Sequence, residues 1–427
     1  MYRLGLLKIG KLRNIEFLFS FDTLIFILLF GLLPIDMING YLLREIGVSP
    51  AISLSQLYKI ILLSFLFVRV NITEKVLVIS VFLLLLIPTI YQLFKSFNIQ
   101  LFFFDIVKII KYLASFLAFF YFRNIVIHKG YLLKWIYRWM LFSFMIVVLN
   151  ISLKLFGLGF AMYSMDTLEI GSKGYFYAGN EVSGVLLILA SFLMYWYQLF
   201  DKKMLFIIVG ILSVLTGLYL ASKTAILGTI FSFIYFFIFS PSTKRISISN
   251  MLFALFSFFI VLPTGLYFVV EYLKTSNVME RFSFFWNELD IYTFILSNRN
   301  TYLFDFLEIF KKEYNIIEMI LGVGQSTFET LNNNHIIELD FFDIYFAYGI
   351  IGALLVILYV SFILIKSALK SLNKKIFPFA SYTKFISILL ILISFLSGHI
   401  FNSGMAAIYI GCIFSLMYYK NNETKIS

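Results

Sequence analysis

The feature that most constrains this chain is a succession of apolar stretches, each long enough for a helix to cross a bilayer. A membrane-spanning helix needs about 20 largely apolar residues, and the sequence contains about twelve such stretches. Of all residues 61% are hydrophobic and only 13% are charged, whereas soluble domains carry about 25% charged residues. The composition therefore excludes a soluble enzyme, a disordered chain and a nucleic-acid-binding protein, and it indicates an integral membrane protein.

The apolar stretches predict an all-α, polytopic fold with about twelve transmembrane helices in one transmembrane domain over residues 1–427. The predicted spans are Ile15–Leu33, Ile52–Val70, Val76–Phe94, Phe103–Phe122, Leu132–Lys154, Glu181–Phe200, Met204–Leu220, Thr224–Ser240, Met251–Glu271, Phe341–Ile365, Thr383–Ser397 and Ser403–Tyr419. No repeat relates the two halves of the chain, although many transporters show one.

The positions of Lys and Arg predict how these spans are oriented. Cytoplasmic loops carry an excess of both residues, and most of the 34 Lys and Arg residues lie on short cytoplasmic connections if both termini are cytoplasmic. Residues 272–340 then form a long extracellular loop between the ninth and tenth spans. Within it, Asn300–Glu313 predicts an amphipathic helix, on the membrane surface or over a cavity mouth, because four apolar residues recur at helical spacing: Leu303, Phe306, Leu307 and Phe310. We therefore expect a structured cap.

The chain offers few metal or nucleotide ligands. Its single cysteine, Cys412, lies in an apolar run, and its three histidines lie far apart without the spacing of a metal site. Gly322-Val-Gly324 lacks the third glycine of a dinucleotide loop and follows no predicted strand. We therefore expect no metal and no cofactor, and a reaction that uses an already activated substrate.

Two groups of polar residues lie at the predicted outer ends of spans in the middle of the chain. Asn180 and Glu181 begin the sixth predicted span, where they either cap the helix or form a polar floor for a sugar. Lys223 lies in a tight outer turn, against the general distribution of positive charge. It either extends its ammonium to water or binds a lipid-linked phosphate at the depth of the headgroups.

Other cations are candidate phosphate ligands. Arg299 precedes the amphipathic helix, and Arg281 lies upstream. A guanidinium binds phosphate oxygens in pairs, and a solvated surface arginine is the alternative at both positions. In the fourth predicted span Asp105, Lys108 and Lys111 recur every third residue and form one polar stripe. The stripe is either a buried ion pair of structural purpose or a path for an anionic lipid headgroup.

The segment that enters the tenth predicted span combines a histidine with three acids: His335, Glu338, Asp340 and Asp343. On a helix His335 and Glu338 would be neighbours, as would Asp340 and Asp343. A helix that begins after Glu338 is the alternative. A histidine or carboxylate here can act as a general base or orient an acceptor hydroxyl. Glu-x-Asp also resembles the metal-binding acids of some glycosyltransferases, but the triplet is common by chance.

Five segments together carry a resemblance to a known family. They are Gly174–Ser183, Ala221–Gly228, Arg299, Leu321–Gly324 and His335–Gly352. In this order along the chain they resemble the O-antigen polymerase and O-antigen ligase superfamily of the Wzy type, and the polymerases of Gram-positive capsule and exopolysaccharide pathways look nearest. Lys223 stands where relatives usually carry arginine. The acidic pattern of Glu338 and Asp340 favours the polymerase branch over the ligase branch.

The resemblance implies a GT-C-like fold and a metal-independent, inverting glycosyltransferase that polymerises oligosaccharide repeat units. Such an enzyme transfers a growing glycan from undecaprenyl diphosphate to a sugar hydroxyl of another lipid-linked repeat unit, at the outer face of the bacterial plasma membrane. The lipid-linked oligosaccharide serves as donor and acceptor, and a chain-length regulator is a further candidate partner. A ligase with a different acceptor and a flippase for lipid-linked oligosaccharides are the alternative functions.

The resemblance also implies roles for individual residues. The expected diphosphate ligands are Lys223, Arg299, Arg281 and Lys111. The expected catalytic residues, which accept or orient the proton of the acceptor hydroxyl, are His335, Glu338 and Asp340. The expected contacts to the sugar or the acceptor are Asn180, Glu181 and Asp343.

Overall fold

The computed structural model describes residues 20–47, 52–165, 168–239, 293, 296–333, 335–396, 398 and 400–421. The chain folds as two compact units. The first unit comprises Met1–Tyr58 and Leu133–Glu288, and the second comprises Lys59–Leu132 and Leu289–Ser427. The single transmembrane domain of the sequence analysis stays a prediction.

Helices make up most of the described chain. In chain order they are α1 (Phe21–Arg44), α2 (Leu54–Arg69), α3 (Ile72–Ser96), α4 (Ile99–His128), α5 (Leu133–Ser152), α6 (Gly179–Leu199), α7 (Lys203–Leu220), α8 (Lys223–Ile238), α9 (Arg299–Glu313), α10 (Ile316–Leu321), α11 (Gln325–Leu331), α12 (Asp340–Ser371), α13 (Ala380–Leu396) and α14 (Ala407–Ser415). Two short strands, β1 (Tyr163–Met165) and β2 (Leu168–Ile170), pair antiparallel with Tyr163 opposite Ile170.

Six helices of the described part are long and apolar enough to cross a membrane. They are α1, α3, the helix Gly130–Phe156 that contains α5, α6, α7 and α12. The apolar helices α8 and α13 and the stretch Ala407–Tyr418 are shorter. This confirms an all-α, polytopic membrane protein, to which the structure adds a small hairpin.

Every predicted span except Met251–Glu271 overlaps a described helix, and Met251–Glu271 lies outside the described residues. The total of about twelve spans stays a prediction. The helix α1 continues beyond the predicted end of the first span at Leu33, through Pro34 to Arg44. The polar residue that follows, Asp36, is buried and accepts a hydrogen bond from the Ser55 hydroxyl. A buried carboxylate with a partner thus extends the helix past the point where the sequence turns polar.

The core of the first unit is α6. Nearly all of its residues are buried, and α5, α7 and α8 pack around it. A helix that is apolar on all sides is buried either in a protein core or in lipid, and α6 is buried by its neighbouring helices. The helix α1 packs against α5 at the edge of this unit.

The core of the second unit joins the transmembrane helices to the segment predicted as a cap. We call residues 296–333 and 335–339 the cap segment. The amphipathic helix predicted there is confirmed as α9: Phe306 is fully buried, and Leu303, Leu307 and Phe310 pack against the same apolar cluster. The Phe306 ring lies 4.9 Å from that of Phe346 in α12. The apolar face of α9 therefore packs on protein rather than lying on a membrane surface.

Candidate functional site

Two glycine motifs of the second unit pack backbone against backbone. Gly349 interrupts α12 with φ 60° and ψ −158°, a conformation that glycine alone adopts readily. Gly322 also has a positive φ of 86°, and the Gly324 N–H donates a 2.8 Å hydrogen bond to the Ala347 carbonyl. A Cβ on Gly349 would lie 2.1 Å from the Ile320 oxygen. The cap segment is therefore locked against the break in α12, and two of the segments that carry the family resemblance form one contact.

The polar stripe on α4 holds α11 in place. The buried Asp105 accepts hydrogen bonds from the Ser326 N–H and, at 3.0 Å, from the Thr89 hydroxyl. The Lys108 ammonium lies 2.6 Å from Glu329 of α11. These contacts favour the structural interpretation of the stripe, with the difference that the acidic partner of Lys108 comes from the cap segment.

A second tether joins α10 to α3. The Glu318 carboxylate accepts hydrogen bonds from Lys95 at 2.7 Å, from Gln92 at 2.6 Å and from the Asn315 N–H at 3.0 Å. Burial by itself raises the pKa of Glu318, but the hydrogen bonds from Lys95, Asn315 and Gln92 together lower the pKa below its ordinary value. Glu318 is therefore ionised at neutral pH, and the tether is charged.

Arg299 begins α9 directly after a left-handed turn. Ser297 and Asn298 have φ of 55° and 66°, and this turn directs the arginine into the protein, where it is only 7% exposed. Its Nη2 donates to the Glu338 carboxylate at 2.7 Å, and its Nη1 donates to the Leu296 carbonyl at 3.3 Å. Among the described residues its Nε has no hydrogen-bond partner. A nearly buried guanidinium with an unused donor is a suitable ligand for an anion.

Glu338 is held by its own backbone as well as by Arg299. It has φ 67°, which is uncommon for a residue with a side chain. Gly398 packs on this peptide so closely that a Cβ on it would lie 2.0 Å from the Glu338 oxygen. The Glu338 side chain remains 32% exposed, against 9% for Arg299. The ion pair therefore has a buried cation and an acid that solvent can reach.

His335 lies in the loop between α11 and α12, with an exposed side chain. Its N–H donates to the Asn332 carbonyl at 3.0 Å, and its own carbonyl accepts from the Asn332 amide at 3.1 Å. Because α12 begins at Asp340, a helix across His335 and Glu338 was wrong and the alternative of a later helix is confirmed. The His335 side chain is thus accessible to a solute.

Asp340 and Asp343 lie in the first turn of α12 and are completely buried. Asp343 accepts a 2.9 Å hydrogen bond from the Ile337 N–H. One oxygen of Asp340, Oδ2, accepts three hydrogen bonds of 2.9 Å, from the Ser394 hydroxyl and from the N–H groups of Ile400 and Phe401. These contacts favour structural roles for both acids over the catalytic role expected of Asp340 and the sugar contact expected of Asp343.

Three candidate residues of the described part of the chain belong to the first unit. Ala178 is the N-cap of α6, so Asn180 and Glu181 lie in the first turn of the helix and the interpretation of Asn180 as a cap was wrong. Lys223 is exposed at the start of α8. The cap of that helix is Ser222, whose hydroxyl accepts from a backbone N–H of the first turn.

The remaining candidate phosphate ligands are Arg281 and Lys111. Arg281 lies outside the described residues. Lys111 is half-buried in α4, and its side chain runs 3.2 Å from the position that a Cβ on Gly404 would take. The structure thus brings Arg299 together with Glu338. Gly398, which packs on Glu338, was missed because nothing in the sequence connects positions so far apart.

The comparison with protein families falls on this part of the chain. Residues 274–422 match the family model described as O-antigen ligase like membrane protein. The match covers about a third of the chain and includes the cap segment, the break in α12 and the pair of Arg299 and Glu338. It supports a relationship to the superfamily of O-antigen ligases and polymerases, and with it a membrane enzyme of glycan processing. No curated protein and no solved structure matches the chain.

Proposed function

We propose that the protein is a polysaccharide polymerase of the plasma membrane. It transfers a growing glycan from undecaprenyl diphosphate to a sugar hydroxyl of another lipid-linked repeat unit at the outer face. The observation that carries this proposal is the ion pair of Arg299 and Glu338, because it combines a phosphate-binding cation and a reachable carboxylate inside the segment that matches the family model. Lys223 and Arg281 stay further candidate ligands of the diphosphate.

The pair of Arg299 and Glu338 provides the two groups that glycosyl transfer needs, a cation for the leaving diphosphate and a base for the acceptor hydroxyl. The acceptor hydroxyl oxygen attacks the anomeric carbon of the donor sugar, and the bond from that carbon to the diphosphate breaks. Arg299 stabilises the negative charge on the leaving diphosphate. A single displacement inverts the configuration at the anomeric carbon. The energy comes from the diphosphate ester, so the reaction needs no nucleoside triphosphate.

The ion pair also suggests how the base becomes active. When the donor diphosphate binds to Arg299, it competes with Glu338 for the same guanidinium. A carboxylate that loses a paired cation accepts a proton more readily, and Glu338 then takes the proton of the acceptor hydroxyl. The exposed His335, three residues earlier in the chain, is the second candidate base.

Chain growth in membrane vesicles tests the proposal. Vesicles that contain the protein and lipid-linked repeat units should produce longer glycans on undecaprenyl diphosphate, and Arg299→Ala should abolish this growth at unchanged protein abundance. Lys312→Ala, which removes an exposed cation from the same helix, is the matched control and should grow chains as the native protein does. Native chain lengths with Arg299→Ala would remove Arg299 from the mechanism.

A ligase is the second candidate function, because the matching family model is described as ligase-like. A ligase moves the glycan to a different acceptor, so the same vesicles would show no lengthening until that acceptor is added. A change in the sidedness of the lipid-linked unit without any new glycosidic bond would instead indicate a flippase and contradict both enzymatic proposals.

A further inference from the structure

A buried lysine in the first unit has no part in the proposed reaction. Lys173 lies in the segment between α5 and α6, residues 153–165 and 168–178, which we call the first-unit loop. Its N–H donates to the Phe160 carbonyl at 3.0 Å. The next residue, Gly174, packs so tightly that a Cβ on it would lie 2.2 Å from the Asn150 oxygen. The backbone that carries Lys173 is therefore fixed on both sides.

The Lys173 side chain runs along the start of α6. The residue is only 6% exposed, and its Cδ lies 3.6 Å from the position of a Cβ on Gly179. Burial, and then the positive charge of Arg44, lower the pKa of Lys173 to about 8. Lys173 thus brings an ammonium to the N-terminus of α6 and close to a second cation.

That second cation, Arg44, is the last residue of α1. Its guanidinium carbon lies 5.2 Å from the ring centres of both Phe160 and Tyr177. The helix α1 approaches the first-unit loop closely, since a Cβ on Gly40 would lie 2.0 Å from the Tyr175 oxygen. The fold therefore holds Arg44 beside Lys173 through backbone contacts and ring contacts.

Within the described ranges no carboxylate pairs with either cation, and the Lys173 ammonium has no hydrogen-bond partner. Two like charges held together, one of them buried, cost free energy unless an anion compensates them. The first turn of α6 adds positive potential, because its N-cap Ala178 offers no side-chain oxygen to the free N–H groups. Three independent features of the first unit thus favour an anion at one place.

We propose that Arg44, Lys173 and the first turn of α6 form a binding site for a phosphate or diphosphate group. A guanidinium fork, an ammonium and backbone N–H groups together offer more donors than a carboxylate can accept, and they match the several oxygens of a phosphate. The site lies at the end of the apolar helix α1 and at the start of the apolar helix α6. This position suits a phosphate on a lipid or one in solution. It is built from the first unit alone and does not depend on the proposed glycosyl transfer.

Acylation of lysines in the full-length protein, in uncharged detergent micelles, tests the site directly. Acetic anhydride should acetylate Lys173, and inorganic pyrophosphate or farnesyl diphosphate should slow this acetylation about tenfold or more at saturation. Lys154 of the same loop pairs with Glu169 and serves as the internal control, with no protection. Mass spectrometry of the digested protein reports both lysines in one sample.

The choice of ligands separates the sources of the phosphate. Protection by pyrophosphate supports a site for soluble phosphate, whereas protection by farnesyl diphosphate alone supports a site for a phosphate carried on a lipid. Farnesol has the same isoprenoid chain without the phosphates. Equal protection by farnesol, or no protection by either phosphate compound, would overturn the proposal.

Variants give a second measurement that does not depend on labelling. Binding of farnesyl diphosphate should weaken about tenfold with Arg44→Gln and with Lys173→Gln, and it should recover with Lys173→Arg. Glu181→Gln should tighten it, because Glu181 places a negative charge in the same helical turn. Thermal unfolding shows whether each variant is folded. Unchanged affinity in folded Arg44→Gln and Lys173→Gln proteins would exclude the site.

Discussion

The cap segment and the first-unit loop both contain lysine and arginine side chains, but the neighbours of these side chains differ. In the cap segment and the helices beneath it, Lys95, Lys108 and Arg299 each meet an acid within 2.7 Å. In the first-unit loop Lys154 pairs with an exposed acid, but Lys173 lies beside Arg44 instead. The difference teaches that the number of cations in a loop does not identify a ligand site. A cation that compensates an acid stabilises the fold, whereas neighbouring cations without an acid favour an anion from outside.

The largest expected effect concerns how the cap segment is held. Gly349→Ala places a Cβ 2.1 Å from the Ile320 oxygen and gives a side chain to a residue with φ 60°. It should destabilise the protein by about 3 kcal/mol or more, through strain and overlap together. Thermal unfolding in detergent measures the loss. Gly157→Ala is the control: its φ is 73° but nothing lies within 4 Å of the new Cβ, so about 1 kcal/mol is expected. Equal losses in both variants would show that the contact with Ile320 does not hold the cap segment.

The next effect concerns Glu338, the acid that pairs with Arg299 and that solvent can reach. Glu338→Gln keeps the size of the side chain and removes its charge, so chain growth should slow by about 100-fold or more if Glu338 is the base. Glu313→Gln, at the exposed end of α9, should leave the rate unchanged. A native rate in the Glu338→Gln protein would transfer the role of base to His335.

A smaller effect is expected at the acid tether of α10. Glu318→Gln should lower the free energy of unfolding by about 1 to 2 kcal/mol at pH 7. The folded pKa of Glu318 is lowered, so its stabilisation is present above the ordinary pKa of 4.5 and is lost as the pH falls through the folded value. The native protein and the variant should therefore converge in stability in acid. A difference that persists there, or one equal to that of the exposed Glu308→Gln, would contradict a charged tether.

The smallest effect is a shift in titration and needs no substitution. The rate at which Lys173 is acylated should rise with pH around a midpoint of about 8, because burial and Arg44 lower the pKa of this lysine from 10.5. Lys154, in the same loop, is the comparison within each sample. A Lys173 midpoint near 10.5 would show that the ammonium is solvated, and the contrast between the two regions would then be lost.

The sequence predicts those parts of the fold that follow from local periodicity. The apolar face of α9 was found from Leu303, Phe306, Leu307 and Phe310 because neighbours on a helix recur every three or four residues. The burial of Asp340 was not predictable, because its three donors come from residues that follow much later in the chain. Contacts between distant segments depend on the tertiary fold, which one sequence does not display.

The candidate site shows the same division. Residue type alone predicted Arg299 and Glu338 as candidates, but their pairing depends on the left-handed turn at Asn298 and on the packing of Gly398. The cations Arg44 and Lys173 were missed because each looks like an ordinary loop residue in the sequence. They are candidate ligands because no acid of the described structure pairs with them. A linear sequence does not show which residues are neighbours in space.

The carboxylate of Asp340 has a consequence for how the polypeptide is made. The ribosome adds Asp340 before any of its donors exists, since Ser394 follows 54 residues later and Phe401 follows 61 residues later. Until the downstream helix arrives, the nascent chain carries this acid without compensation at the entrance of a long apolar helix. We therefore expect α12 to reach its final environment only after the chain has been made as far as Phe401.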